Sequence, residues 1–155
     1  MARARQRTLS KTNKMIEYLY DTVFELEDED FYTRWISEVV RCADCEVGEL
    51  CYTFCSDEQL LRLNIEYLDH DTYTDIISFD YCEDYIVSGE MFISVERVAE
   101  NARELGEDFK EELDRVMVHG VLHYLGYKDK TPQEAAEMRA AEERALALRK
   151  DVVLS

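Results

Sequence analysis

Short segments with alternating or continuous apolar side chains predict β-strands in the first two thirds of the chain. The segments are rich in aromatic and β-branched residues, which favour strands over helices. A connection containing Gly89 joins the third and fourth segments, so we expect them to pair as antiparallel neighbours. The four segments are residues 15–24, 49–55, 75–81 and 90–95.

Helical periodicity accounts for most of the remaining chain. Phe31, Trp35 and Val39 recur at i, i+4 and i+8, which places them on one face of a helix. Polar side chains that can cap a helix precede each of the other periodic segments, and Pro132 stands at the first position of the last one. The chain thus predicts five helices, over residues 28–42, 57–67, 95–105, 109–126 and 132–150, and the last four have caps at Ser56, Ser94, Asp108 and Thr131.

The order of these elements, with the helices grouped late, is typical of the α+β class. We expect a single domain over residues 1–155, because a chain of this length with 46% hydrophobic residues can bury one core. Its central sheet should be small and mixed with mostly antiparallel pairing, packed with about five helices.

Charge changes the picture for possible partners. The formal net charge is −17, yet residues 1–13 contain basic residues and no acidic ones, and we expect them to form a disordered basic arm. An acidic body repels nucleic acid, because phosphate contacts dominate that affinity. The composition therefore argues against RNA binding by the body, and the arm could compensate locally.

The sequence also bears on the cellular compartment. No run of about 18 apolar residues predicts a membrane span, and the N-terminus has no apolar core of a signal peptide. Five cysteines in a chain without an export signal indicate reduced thiols. We therefore expect a cytoplasmic protein without a membrane partner.

The segment from His119 to Asp129 predicts a metal site at the end of a buried central helix. His119 and His123 are four residues apart, so both imidazoles project from one face of an otherwise apolar helix. Buried histidines need polar partners, and one cation satisfies both. Gly126 can reverse the chain at the helix end and return Asp129 as a third ligand. Two histidines and a carboxylate leave a fourth position open, which is typical of a catalytic zinc site.

The spacing H-x3-H-x2-G-x2-D looks like the zinc motif of metzincin-type metalloproteases. Those enzymes carry glutamate directly after the first histidine as the general base, and this chain has Gly120 there. Without that proton acceptor the standard peptidase mechanism is incomplete. A metalloprotease is therefore the weaker interpretation of this segment.

The same segment, read as H-G-x-L-H-x-x-G-Y, resembles the YbeY family of bacterial endoribonucleases and rRNA maturation factors. Two further stretches agree with that family and occur in the same order along the chain. Residues 63–67 with 74–79 resemble its L-N-x-x-Y…T-D-V-L-S-F segment, and residues 89–94 resemble its G-D-I-x-I-S strand. Three motifs in register are far more specific than one.

The resemblance implies a zinc-dependent endoribonuclease that prefers single strands and acts in small-subunit rRNA maturation and ribosome quality control. It implies one zinc ion per chain, held by His119, His123 and Asp129. The partners implied are ribosomal RNA and the small ribosomal subunit, with ribosomal proteins or an assembly GTPase as further candidates. We expect a monomer.

Two positions depart from the family pattern. Asp129 stands where the family usually has a third histidine, and Leu68 stands where it typically has an arginine that assists phosphate chemistry. Either His70 or Lys128 could replace that cation. His70 would then be a catalytic residue, and Lys128 would bind the substrate. A non-catalytic ribosome-assembly factor with a structural metal therefore stays open as an alternative.

The family's strand motif supplies two further candidate catalytic residues. Asp75 or Ser78 could orient the substrate or accept a proton. As alternatives, the first can be a turn residue and the second a strand-face residue.

The cysteines suggest a second zinc site only weakly. The pairs Cys42-x-x-Cys45 and Cys51-x-x-x-Cys55 are separated by five residues, whereas paired zinc knuckles normally lie about 12 or more residues apart. We expect no structural zinc there.

Overall fold

A computed structural model describes residues 16–70 and 72–153, so the predicted basic arm at residues 1–13 lies outside the described residues. These residues form four strands and six helices, and the last four helices all follow the last strand. In chain order they are β1 Ile16–Tyr20, α1 Glu29–Cys42, β2 Glu46–Cys55, α2 Asp57–Leu68, β3 Ile76–Asp80, β4 Ile86–Ser94, α3 Val95–Leu105, α4 Phe109–Tyr124, α5 Pro132–Ala147 and α6 Arg149–Val153. This organisation confirms the α+β class.

The strands form one mixed sheet in the order β1-β2-β4-β3. The predicted antiparallel pairing of β3 with β4 is confirmed. The expectation of mostly antiparallel pairing is wrong, because β2 pairs in parallel with both β1 and β4. Parallel neighbours need a crossover connection, and α1 and α2 provide the helical part of these two connections.

Side chains predicted to cap the helices do so at three of the four predicted caps, and Asp28, which was not predicted as a cap, also caps α1. Asp28, Ser56, Ser94 and Thr131 each accept a hydrogen bond from a backbone N–H in the first turn that follows. Asp108 precedes α4 as predicted, but within the described residues its side chain makes no capping hydrogen bond. The last predicted helix is divided at Leu148 into α5 and the short α6.

Helix α4 is the buried central helix that the sequence predicts. Met117 and Val121 on this helix are fully buried against the sheet and α1. The Tyr52 hydroxyl on β2 donates to the Met117 carbonyl at 2.8 Å, and Trp35 Nε1 on α1 donates to the Ala145 carbonyl at 2.8 Å. These two bonds tie α4 to the sheet and α5 to α1. Of the helices that the structure describes, none is long and apolar enough to cross a membrane.

Candidate metal centre

Helix α4 approaches the sheet closely at the glycine between its two histidines. A Cβ atom at Gly120 would lie 2.6 Å from Met91 Sδ and 2.9 Å from Ile76 Cδ1. Only hydrogen fits there without displacing a neighbour. Gly120 therefore seats α4 against β3 and β4, while His119 and His123 remain partly exposed beside it.

The chain reverses immediately after α4. Gly126 adopts φ 107°, a conformation that favours glycine, and the Tyr127 N–H donates back to the Leu122 carbonyl at 3.0 Å. This turn carries Asp129 to the two histidines, as the sequence analysis predicts.

Three ligand atoms converge at this turn. Asp129 Oδ2 lies 3.4 Å from His119 Nε2 and 3.4 Å from His123 Nε2. The two Nε2 atoms are 3.0 Å apart. Within the described residues, these three side chains form the one group of histidine, cysteine, aspartate or glutamate whose ligand atoms could share a metal ion.

The other nitrogen of each imidazole faces an oxygen acceptor. His119 Nδ1 lies 2.7 Å from Glu142 Oε2, and His123 Nδ1 lies 3.0 Å from the Tyr127 carbonyl oxygen. Because both oxygens can only accept, each Nδ1 carries the proton and donates. Each Nε2 then presents a lone pair toward the other and toward Asp129, which is the donor set that a divalent cation requires.

Carboxylates dominate the electrostatic surroundings of His119. Burial by itself lowers the pKa of His119, but the hydrogen bond to Glu142 and the charges of Glu142, Asp129 and Asp75 outweigh it, so the pKa lies above its usual value. A site that favours a proton on an imidazole also favours a metal ion there. The residues present therefore fit a divalent metal.

Asp75 lies close enough to interact electrostatically with His119. Burial raises the pKa of the Asp75 carboxyl group, and the charge of His119 partly opposes that rise. Asn101 Nδ2 on α3 donates to Asp75 Oδ2 at 3.2 Å, and the Ser94 N–H donates to the Asp75 carbonyl at 3.0 Å. Asn101 thus holds the Asp75 carboxylate, which interacts electrostatically with His119.

Ser78 lies farther along β3 and is exposed. It contacts the Tyr124 hydroxyl, which donates to the Phe79 carbonyl oxygen at 2.8 Å. Tyr124 is the last residue of α4, so Ser78 borders the helix that carries the two histidines. Its catalytic role stays a prediction.

The two predicted substitute cations are exposed, and among the described residues neither side chain hydrogen-bonds to the three ligands. Lys128 is next to Asp129 in the turn. The His70 N–H donates to the Asn64 carbonyl at 3.1 Å, just beyond the end of α2. Leu68, where the family has arginine, is 43% exposed. The roles of His70 and Lys128 in binding substrate stay predictions.

Two residues that support the segments around the candidate ligands were not predicted from the sequence. Glu142 falls within the apolar stripe of α5, where a charged residue among alanine and methionine is a signal of a buried partner. Asn64 is 3% exposed, and its Nδ2 donates to the Thr72 carbonyl at 2.7 Å, which holds the segment leading to Asp75. Its place in the L-N-x-x-Y motif was the available signal.

The side chains of the two cysteine pairs have individual neighbours in the structure. Among the described residues no cysteine joins a group of ligand atoms that could hold an ion. The side chains point to other partners: Cys45 Sγ lies 3.5 Å from the Ala43 carbonyl oxygen, and Cys55 Sγ lies 3.5 Å from the Ile93 carbonyl oxygen.

Comparison with known proteins agrees with the geometry. The family model described as Endoribonuclease YbeY matches residues 14–149. The endoribonuclease YbeY of Flavobacterium johnsoniae is 48% identical over 134 residues, which cover 86% of this chain and 96% of that protein. The endoribonuclease YbeY of Phocaeicola vulgatus is 51% identical over 116 residues, which cover 75% of this chain and 84% of that protein.

A solution structure of a Thermotoga maritima protein shares the fold. It superposes with a TM-score of 0.59 at 23% identity, covering 88% of this chain and 93% of the other. At that identity the likeness concerns the fold alone. The family match and the curated relatives carry the assignment further: the chain belongs to the YbeY family of endoribonucleases.

Proposed function

We propose that this enzyme cleaves RNA with one zinc ion held by His119, His123 and Asp129. The observation that carries the proposal is the convergence of two Nε2 atoms and one carboxylate oxygen, with each Nδ1 already engaged by an acceptor. Two nitrogen donors and one oxygen donor suit zinc, which accepts three protein ligands and keeps a fourth position open in catalytic sites. When bound, zinc would supply a Lewis acid for a phosphodiester oxygen.

The protein's own residues would then position the substrate and transfer a proton. Asp75 is the candidate proton acceptor, because it interacts electrostatically with His119 and burial raises the pKa of its carboxyl group. Asn101 orients that carboxylate from α3. Ser78, which is exposed on β3, would hydrogen-bond a phosphate or ribose oxygen.

The solvent exposure of the metal trio, which we define as His119, His123 and Asp129, favours a catalytic metal over a structural one. Asp129 is 38% exposed and His123 is 34% exposed, so solvent and substrate can reach their side chains. A structural zinc site is normally closed by four protein ligands. The non-catalytic assembly factor is therefore the less favoured alternative.

The structure gives a second argument against a metalloprotease. Gly120 lies where the peptidase motif has glutamate, and the direction of a Cβ atom there leads into Met91 and Ile76. A longer side chain at this position would collide with the sheet instead of reaching the metal. The hypothesis of a peptidase thus lacks both the residue and the space for it.

The acidic charge of the protein makes RNA binding depend on the metal. Without a cation, the carboxylates of Asp129, Asp75 and Glu142 would repel a phosphate at this site. A bound divalent ion removes part of that repulsion at the reacting centre. Metal loading should therefore affect both RNA binding and cleavage.

We infer that the substrate is ribosomal RNA of the small subunit, cleaved in single-stranded regions during maturation and quality control. Membership of the YbeY family supports this inference. Cytoplasmic location and action as a monomer on the small subunit, with ribosomal proteins or an assembly GTPase as further partners, belong to the same proposal.

Metal content and cleavage measured on one preparation test the proposal. We expect about one zinc per chain and cleavage of a single-stranded small-subunit rRNA fragment that chelator abolishes and zinc restores. His123→Ala should lose the metal and the activity together. Full cleavage by metal-free His123→Ala protein would disprove the mechanism, and bound zinc with RNA binding but no cleavage would favour the assembly factor.

A further inference from the structure

Glu142 is a carboxylate buried in the apolar face of α5. The residue is 6% exposed, and its neighbours on that face are Met138, Ala141, Ala145 and Leu146, all buried. Burying a carboxylate costs free energy unless specific partners compensate. An apolar residue would pack at this position without that cost, so the partners of Glu142 need an explanation.

The two carboxylate oxygens of Glu142 face different partners. Oε2 lies 2.7 Å from His119 Nδ1. Oε1 lies 3.7 Å from a terminal nitrogen of Arg115 and 3.7 Å from one of Arg139. One oxygen is thus directed at the histidine, while two guanidinium groups face the other.

Arg115 forms ion pairs with several carboxylates and not with Glu142 alone. It is 11% exposed in its side chain and also lies 3.0 Å from Glu143 and 3.7 Å from Glu112. Arg115 is therefore held in place by several carboxylates. Glu143 shares this arginine with Glu142 but is 60% exposed in its side chain and belongs to the outer side of α5.

The two histidines of the metal trio have unequal partners. His123 donates from Nδ1 to a neutral backbone carbonyl, whereas His119 donates to a carboxylate. A carboxylate accepts a stronger hydrogen bond and increases the electron density on the imidazole. The carboxylate partner therefore strengthens His119 Nε2 as a nitrogen donor.

We infer that Glu142 is a positioning residue for the metal, acting through His119. It holds the proton on Nδ1, directs the Nε2 lone pair at the position shared with His123 and Asp129, and strengthens the nitrogen donor. This inference rests on the proposed function, because it takes His119 as a metal ligand. It also assigns α5 a part in the site, although none of the three ligands lies on that helix.

Zinc affinity separates this role from simple packing. We would measure it by competition with a chromophoric chelator on the full chain, for the wild type, E142Q, E142A and the control E143Q. We expect E142A to bind zinc about 10–100-fold more weakly. E142Q, which keeps an acceptor but loses the charge, should fall between E142A and the wild type. E143Q leaves the contact between Glu142 and His119 intact, so its zinc affinity should match that of the wild type within about twofold.

The visible spectrum of the cobalt-substituted protein gives an independent readout. We expect E142A to change the cobalt absorption bands and E143Q to leave them unchanged, because only Glu142 contacts a ligand. Thermal unfolding in chelator reports whether each variant folds, and the nearly isosteric E142Q decides the question if E142A does not.

The possible outcomes distinguish this inference from the proposed function. Wild-type zinc affinity in folded E142Q and E142A would overturn the positioning role alone. An equal loss in E143Q would also overturn it, because a general charge effect would then explain the result. A wild-type protein that binds no divalent metal would overturn the proposed function and, with it, this role.

Discussion

His119 Nε2 and His123 Nε2 lie 3.0 Å apart, while the Nδ1 of each imidazole faces an oxygen acceptor. Two lone pairs at that distance repel each other unless a proton or a metal ion lies between or beside them. The folded protein therefore holds its ligands in an arrangement that a cation stabilises. Metal binding and stability should be linked.

We expect zinc to raise the unfolding temperature of the wild type. Binding to the folded state alone adds about 2.7 kcal/mol of stability when free zinc is 100 times the dissociation constant. His123→Ala should abolish this increase, because it removes one of the three ligands. Thermal unfolding with and without chelator measures the effect. His70→Ala, which changes an exposed histidine outside the trio, is the matched control and should keep the increase.

We expect Gly120→Ala to destabilise the protein. The new Cβ would meet Met91 Sδ at 2.6 Å and Ile76 Cδ1 at 2.9 Å, so α4 or these side chains must move. Overpacking of this kind costs about 1–3 kcal/mol, and the better helix propensity of alanine returns about 0.5–1 kcal/mol. Urea unfolding in chelator should show a net loss. A stability equal to or above that of the wild type would show that the Met91 and Ile76 side chains shift to accommodate the methyl group at little cost.

We expect Asp75→Asn to stabilise the metal-free protein at neutral pH. Burial raises the folded-state pKa of this carboxyl group, so its contribution is most favourable at low pH and is lost as pH rises through that pKa. Asparagine avoids the cost of a partly buried charge, and a single stabilising substitution commonly adds about 0.5–2 kcal/mol. Unfolding measured from acid to neutral pH should show the difference growing with pH. A difference independent of pH would argue against the buried carboxylate as its cause.

We expect the cysteines to differ strongly in their reaction with a thiol reagent. Burial raises the pKa of Cys55 to about 12 and that of Cys82 to about 11, so few of these thiols are ionised near neutrality. At pH 8 the reactive thiolate fraction of Cys55 is roughly one in ten thousand. Mass spectrometry after brief alkylation should find Cys42 and Cys45 modified first. If Cys42 and Cys45 are instead protected from alkylation and chelator removes that protection, a zinc site at the cysteines would be supported.

Local sequence determined the elements of this fold and the three candidate metal ligands. His119 and His123 share a helix face because they are four residues apart. The turn at Gly126 returns the chain, so that Asp129, six residues after His123, reaches the two histidines. Helix caps such as Ser56 and Thr131 are equally local, since each side chain bonds within its own first turn. Interactions over such short separations depend on backbone geometry that a pattern of residues can predict.

Only the tertiary structure decided the strand directions and the surroundings of the metal trio. Whether β1 and β4 run parallel to β2 depends on how the crossovers pack over the sheet. The periodicity within a strand does not predict the direction of its neighbours. Glu142 reaches His119 from 23 residues away, and Asn101 reaches Asp75 from 26 residues away. These contacts exist because separate helices pack on one core, and packing is a property of the whole chain rather than of any single segment.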